Sequence, residues 1–292
     1  MRTDKNSLAS GTTGSRSHGE RTAEVSYRIP PLLDHSTYDP VERHLSLERL
    51  LTKLAGGVAA RKYWRFRPDR WYGGIATADC VGCGLACKFC WVKSDILYNP
   101  AEVGSFHTPR DVASRLSSIA SSRGYQQARV SGGEPTISRT HLIQLLRDIG
   151  SLQPLHFILE TNGILIGHSR NYARELSGFS FLHVRVSLKG CDEAEFHNLT
   201  GASSSGFKLQ LEALRNLVDE DVSCHPAVMR SFSSSESFQH LVERLSSIEP
   251  RLASQLEIEE VIMYPRVAKR MSRLGLQPKV SHEPARVPEH LI

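Results

Sequence analysis

Six short apolar runs, each leading into a stretch of helical periodicity, predict an α/β chain built as a partial, open (β/α)6 barrel of TIM type. An N-terminal helical extension and a disordered N-terminal tail are expected ahead of it. Two further observations support this fold class. Start and stop signals bracket the helical stretches, and 292 residues with 40% hydrophobic content suffice for one large domain of this kind. Six units cannot close an eight-stranded barrel, so the sheet should stay open, with its chemistry at the C-terminal strand ends.

Residues 1–25 are rich in Ser, Thr, Gly, Lys and Arg and lack an apolar period, which is the composition of a disordered tail. Residues 26–72 form the extension. Within it Leu45, Leu47, Leu50, Leu51 and Leu54 follow helical spacing until Gly56-Gly57 stops the pattern. The segment ARKYWRFRPDRW, Ala60–Trp71, then interleaves five basic residues with Tyr63, Trp64, Phe66 and Trp71. It reads as a strap packed beside the barrel with its arginines solvated, and otherwise as a surface that stacks bases and tracks phosphates.

The core domain spans 73–275. Its strands are expected at Ile75–Asp79, Ala128–Ser131, His156–Glu160, Leu182–Leu188, Val222–Met229 and Ile258–Met263. The first helix opens at Thr108-Pro109, buries Val112, Leu116 and Ile119, and stops at Gly124; Leu142, Leu145, Leu146 and Ile149 line the next. Later helices are expected near Asn171–Leu176, Phe207–Val218, Phe238–Ile248 and Val267–Leu274, with 276–292 as a C-terminal tail.

No run of about 18 apolar residues occurs, and the N-terminus is polar, so a cytoplasmic protein without a membrane span is expected. The net charge of +5 permits an anionic partner without requiring one. Four of the six cysteines crowd into Cys80–Cys90, which reads as metal binding and not as a disulfide framework. Cys83, Cys87 and Cys90 offer three thiolates in a tight loop after the first strand, a donor set that suits zinc or an iron–sulfur cluster. Cys80 and Cys83 also make one C-x2-C pair, but no second pair follows at zinc-finger spacing. One βα unit later comes SGGEP, Ser131–Pro135, whose glycines let the backbone approach a ligand closely.

The spacing C-x3-C-x2-C, with Phe89 before the last cysteine, resembles the signature of the radical S-adenosylmethionine (SAM) superfamily. The resemblance implies a [4Fe–4S] cluster on Cys83, Cys87 and Cys90, with one iron left open to chelate SAM, and a one-electron donor such as flavodoxin or ferredoxin. Cys80 then stands outside the cluster, and Cys191 and Cys224 are buried free cysteines. SGGEP resembles the family's GGEP motif, and LETNG (Leu159–Gly163) and VRVSLKG (Val184–Gly190) resemble SAM-facing strand ends. This implies that Phe89 flanks the adenine and that Gly132, Gly133, Glu134 and Thr161 shape the methionine site, with Glu160 and Asn162 facing SAM. Ser187 and Lys189 would lie near its ribose or carboxylate.

The stretch SLKGCDEAEFHNLTG is similar to a segment of the glycyl-radical-enzyme activating group, the pyruvate formate-lyase activating enzyme-like proteins, although Ser187 stands where they carry aspartate. The resemblance runs from Gly74 to Tyr264 and is dense only at the motifs. Three functions compete: activation of a partner protein, radical modification of RNA or a small metabolite, and a non-catalytic zinc or iron–sulfur module. The first leads.

Overall fold

A computed structural model describes residues 37–152 and 155–289, so the tail expected over residues 1–25 lies outside the described part. Helix α1 (Pro40–Leu51) is capped by Asp39, whose carboxylate accepts from the amides of Val41 and Glu42. Its C-terminus differs from expectation. The chain leaves the helix at Leu51 and forms an antiparallel hairpin of β1 (Thr52–Ala55) and β2 (Val58–Asp69). Gly56 and Gly57, expected to stop the helix, instead make the hairpin turn, both at positive φ as a two-residue turn of this hand requires.

Strand β2 continues antiparallel to β3 (Ile75–Cys80), which begins a run of six parallel strands: β3, β5 (Gln127–Gly132), β6 (His156–Thr161), β7 (Leu182–Leu188), β8 (Cys224–Met229) and β9 (Glu257–Glu259). The fold is the expected open, partial TIM-type barrel, with antiparallel strands added on its β3 side. There β4 (Ser105–His107) also pairs with β2. The intervening helices are α2 (Ser94–Tyr98), α3 (Pro109–Arg123), α4 (Arg139–Leu152), α5 (Ile164–His168), α6 (Arg170–Leu176), α7 (Glu193–Thr200) and α8 (Ser205–Asp219). After β8 come α9 (Ser235–Ile248) and α10 (Pro250–Ser254), and after β9 come β10 (Val261–Ile262), α11 (Pro265–Arg273) and β11 (Ser281–His282).

Two expectations need correction. Ala60–Trp71 is not a strap with solvated arginines: most of it is β2, and Arg61 is fully buried. The expected last strand, Ile258–Met263, is divided. Arg230 donates its amide to Glu259 O and Val261 donates its amide to Ser231 Oγ, so the sheet ends at Glu259. Val261–Ile262 then pairs with Ser281–His282, which lie within the stretch read as a tail.

Along β7, Leu182, Val184, Val186 and Leu188 are buried in the apolar core, whereas Arg185 and Ser187 line a cavity. This alternation is the period of a strand, with polar groups on the inner face of the barrel. Among the described residues no helix is long and apolar enough to cross a membrane.

His141 on α4 is buried, accepts from Tyr63 Oη at Nε2 (2.9 Å) and donates from Nδ1 to Ala59 O (2.9 Å). Burial lowers its pKa to about 4, so the fold holds it neutral. A group with a depressed folded pKa contributes stability above its unfolded value near 6.5 and loses it as pH falls toward 4, a loss of about 3 kcal/mol. His141→Gln keeps both hydrogen bonds without the titration. Its melting temperature should fall less than the wild type's between pH 7 and pH 4, as differential scanning fluorimetry would record.

Candidate active site

Ten of the residues singled out in the sequence line one cavity of about 1070 Å³. Cys83, Phe89, Cys87 and Cys90 come from the loop after β3, Gly132, Gly133 and Glu134 from the end of β5, Thr161 from β6, and Ser187 and Lys189 from β7. Glu160 and Asn162 line it as well, whereas Cys80, Cys191 and Cys224 are buried elsewhere. Cys80 ends β3 beside Arg61. Phe89 leans on Phe232 with ring centroids 5.5 Å apart.

The cysteine loop is fastened along its length. Tyr38, ahead of α1, accepts the Ala86 amide at its hydroxyl (3.0 Å) and donates to Thr200 O, while the Lys88 amide donates to Leu199 O. On the far side Arg270 of α11 donates to Cys90 O, Val92 O and Ser94 Oγ. Cys83 Sγ receives the Leu85 amide (3.4 Å) and Asn162 Nδ2 (3.6 Å). Burial pushes the Cys87 thiol up to about 12 and raises the Cys83 thiol as well.

Glu134 does not extend toward open space. Its buried carboxylate accepts from the Thr136 amide and hydroxyl, the Thr161 hydroxyl (2.7 Å) and the Asn162 amide (2.8 Å), which ties the β5 end to the β6 end. The Glu134 amide donates to Gly82 O and its carbonyl accepts from Arg61, joining both to the cysteine loop and β2. Gly133 is small for a related reason. A Cβ there would lie 2.2 Å from Gly82 O, so the contact that excludes a side chain is with the cysteine loop.

Below these loops is a floor of ion pairs that the motif reading missed. Asp79 accepts from Arg65 (2.7 Å) and Arg67 (2.9 Å); Asp69 accepts from Arg67 and Arg129; Glu160 accepts from Arg129 and Ser131. On the other side Arg185 holds Glu257 and Glu259 at 2.7 and 3.0 Å. Burial alone would raise the Glu160 and Glu259 carboxyls, but Arg129, joined by Arg185, holds Glu160 below the ordinary range, and Arg185, joined by Lys189, does the same for Glu259. Lys189 donates to Ser187 Oγ (2.5 Å), which donates to Glu259 (2.8 Å), so the carboxylate absent at 187 is supplied from β9, two strands along the sheet.

Fold and site together define an open-barrel protein in which a thiol-bearing loop and a glycine turn meet over a charged floor. A sequence profile of the Radical SAM superfamily matches residues 79–245, more than half of the chain, and the chain belongs to that superfamily, whose members use a [4Fe–4S] cluster and SAM. Among curated relatives, GTP 3′,8-cyclase of Clostridium perfringens is 30% identical over 121 residues, 40% of this chain and 35% of that protein. The same enzyme of Mesorhizobium japonicum is 28% identical over 155 residues, 45% and 43% of the two chains. The matches thus span less than half the length of these relatives. Streptococcus suis SuiB bound to SAM superposes with a TM-score of 0.52 at 18% identity, over 67% of this chain and 44% of SuiB. SuiB bound to its precursor peptide SuiA gives 0.51 at 16% identity, over 70% and 47%.

The residues present fit such a cluster. Three thiols open on the cavity, one already receives N–H donors, and the Tyr98 hydroxyl, buried in the field of Cys90 and Cys87, has no partner among the described residues. Among the described residues no group of three His, Cys, Asp or Glu converges on one ion. A cubane does not require that, since each thiolate binds a different iron.

Gly133→Ala should force the SGGEP turn away from Gly82 O, an overpacking cost of about 1–3 kcal/mol. The consequence differs from that of a glycine needed only for cofactor approach. Iron retained per chain should fall together with SAM affinity, as iron assay and equilibrium dialysis would reveal.

Proposed function

We propose that the chain cleaves SAM reductively at a [4Fe–4S] cluster held by Cys83, Cys87 and Cys90, and acts on a small polar substrate carrying ionised groups. The observation that carries this reading is a single cavity that joins the three thiols to a floor of paired charges of both signs. At about 1070 Å³ it exceeds the ~300–1,000 Å³ of ordinary small-molecule sites, which suits SAM beside a second molecule. When bound, cluster and SAM supply a 5′-deoxyadenosyl radical for hydrogen abstraction from the substrate. The protein's own residues bind and orient. Glu134 and Thr161 fix the loops at the methionyl end, Phe89 borders the adenine, and Gly132 with Gly133 presents main chain to SAM. Ser187 and Lys189 meet the ribose or carboxylate, and the Arg185 and Arg129 pairs hold the substrate's charged groups.

In this proposal residues 73–275 are the catalytic core, and 26–72 supply a wall of the cavity through β2. Electrons come from a flavodoxin- or ferredoxin-type donor. Activation of a partner protein rests on the Lys189–Gly201 resemblance alone, and the curated relatives, GTP 3′,8-cyclases, favour a small molecule. Modification of RNA loses its basic strip, because Arg61, Lys62, Arg65 and Arg67 are engaged by protein acceptors.

Cys83→Ser, Cys87→Ser and Cys90→Ser should each abolish 5′-deoxyadenosine formation under anaerobic reduction and lower iron content, while Cys80→Ser, Cys191→Ser and Cys224→Ser retain both. A Cys80 variant without iron would overturn the ligand assignment.

The wild-type protein should bind single-stranded RNA negligibly. A phosphate-tracking surface would show affinity falling with salt by a log–log slope of about 0.7 per phosphate contacted, and fluorescence anisotropy across a salt series separates the two.

A further inference from the structure

Helix α1 packs on the cysteine loop with Leu51 and with a fully buried polar side chain, His44. Its Nδ1 lies 2.5 Å from Pro40 O, and a carbonyl can only accept, so Nδ1 carries the proton. Nε2 is therefore the acceptor, and it faces Asn162 Nδ2 at 2.9 Å. The Asn162 amide has no freedom to turn over, because its Oδ1 already takes the Ile164 amide (3.0 Å). Its two N–H hydrogens thus serve His44 Nε2 and Cys83 Sγ, the latter at 3.6 Å. The main chain of Asn162 is fixed as well, by Glu134 at its amide and Gln210 at its carbonyl.

The loop is shaped around this imidazole. A Cβ on Gly84, next to Cys83, would lie 2.1 Å from His44 Nδ1, so the main chain at Gly84 lies directly on the ring. A histidine serving only as filler would need neither an oriented amide nor a glycine against its face.

We infer that His44 is a positioning residue for the cluster: by accepting one N–H of Asn162 it aims the other at Cys83 Sγ, and so tunes the cluster's reduction potential. This rests on the reading of Cys83 as a cluster ligand. The physical link is that an N–H donor stabilises the negative charge on a ligand sulfur, and more so in the reduced, more negative cluster. Loss of that donor lowers the potential. Among the described residues His44 hydrogen-bonds Pro40 and Asn162 and no ligand sulfur, so its effect passes through Asn162.

The test uses the full chain, reconstituted anaerobically, with iron per chain and the midpoint potential from an EPR-monitored redox titration as readouts. His44→Leu should keep its iron and shift the potential negative, and His44→Gln, which restores an acceptor, should return it toward the wild-type value. Asn162→Leu should shift it at least as far as His44→Leu does. In the double variant His44→Leu adds nothing to Asn162→Leu, the coupling expected of residues acting through one hydrogen bond. A wild-type potential in His44→Leu overturns the inference, as does a shift that His44→Gln shares in full or that adds to that of Asn162→Leu. If His44→Leu retains less iron than the wild type, His44→Gln decides: full iron at the wild-type potential supports the inference, and anything less overturns it. Full iron in Cys83→Ser would instead remove the ligand reading itself.

Discussion

A carboxylate withdrawn from water is costly unless hydrogen bonds and a nearby cation replace the lost solvation, and Glu134 meets that condition in a way that organises the site. Its oxygens take four donors from the Thr136 and Thr161–Asn162 segments, and Arg61 bonds its carbonyl from behind. The Thr161 and Asn162 donors sit at the end of β6 beside the cavity, and the Thr136 donors lie in the turn that follows β5. The sheet alone fixes strand spacing. It does not fix the loops beyond the strands, and Glu134 is the group through which the loops of β3, β5 and β6 share one geometry. Its amide bond to Gly82 O passes that geometry to the cysteine loop.

The floor follows a similar rule with charges of both signs. Arg129 and Arg185 are nearly inaccessible to solvent, and each is flanked by two carboxylates. Such pairs contribute little net stability over an apolar filling, but removing one partner strands the other, typically at about 3–5 kcal/mol. They therefore specify position. A floor that is already neutral in sum has no general attraction for anions, so it discriminates by geometry, accepting a ligand whose charged groups match the open edges of particular pairs.

How far the sequence disclosed this differs between elements. The five strands β3 to β8, apart from the short β4, and the helices α3, α4, α6, α8 and α9 were legible because their buried faces are apolar at the right period, and α3 also carries a Thr108-Pro109 start and a Gly124 stop. Strand β2 was hidden because its inward positions are Arg65, Arg67 and Asp69, which invert the apolar alternation by which a strand is recognised. The cysteine and glycine motifs are local and could be read directly. The floor could not, since Arg129, Glu160, Arg185 and Glu257 come from four strands and become one network only when the sheet forms. Charged residues at alternate positions within otherwise apolar strands were the available sign.

Glycine content in the cysteine loop carries a final lesson about what a motif residue is for. In the reading from sequence, glycines near a cofactor serve the approach of main chain to ligand. Here a Cβ on Gly82 would lie 2.5 Å from Leu51, one on Gly84 would meet His44, and one on Gly133 would meet Gly82 O. The loop is pressed between α1 and the SGGEP turn, and absent side chains let two layers of main chain close around it. A cluster ligand loop must hold its thiolates in register, whether empty or loaded, for assembly to be efficient, and close packing supplies that rigidity where regular secondary structure is absent. The extension ahead of the barrel is therefore half of the vice that shapes the loop, which is why Tyr38, His44 and Leu51 belong to the site although none of them lines the cavity.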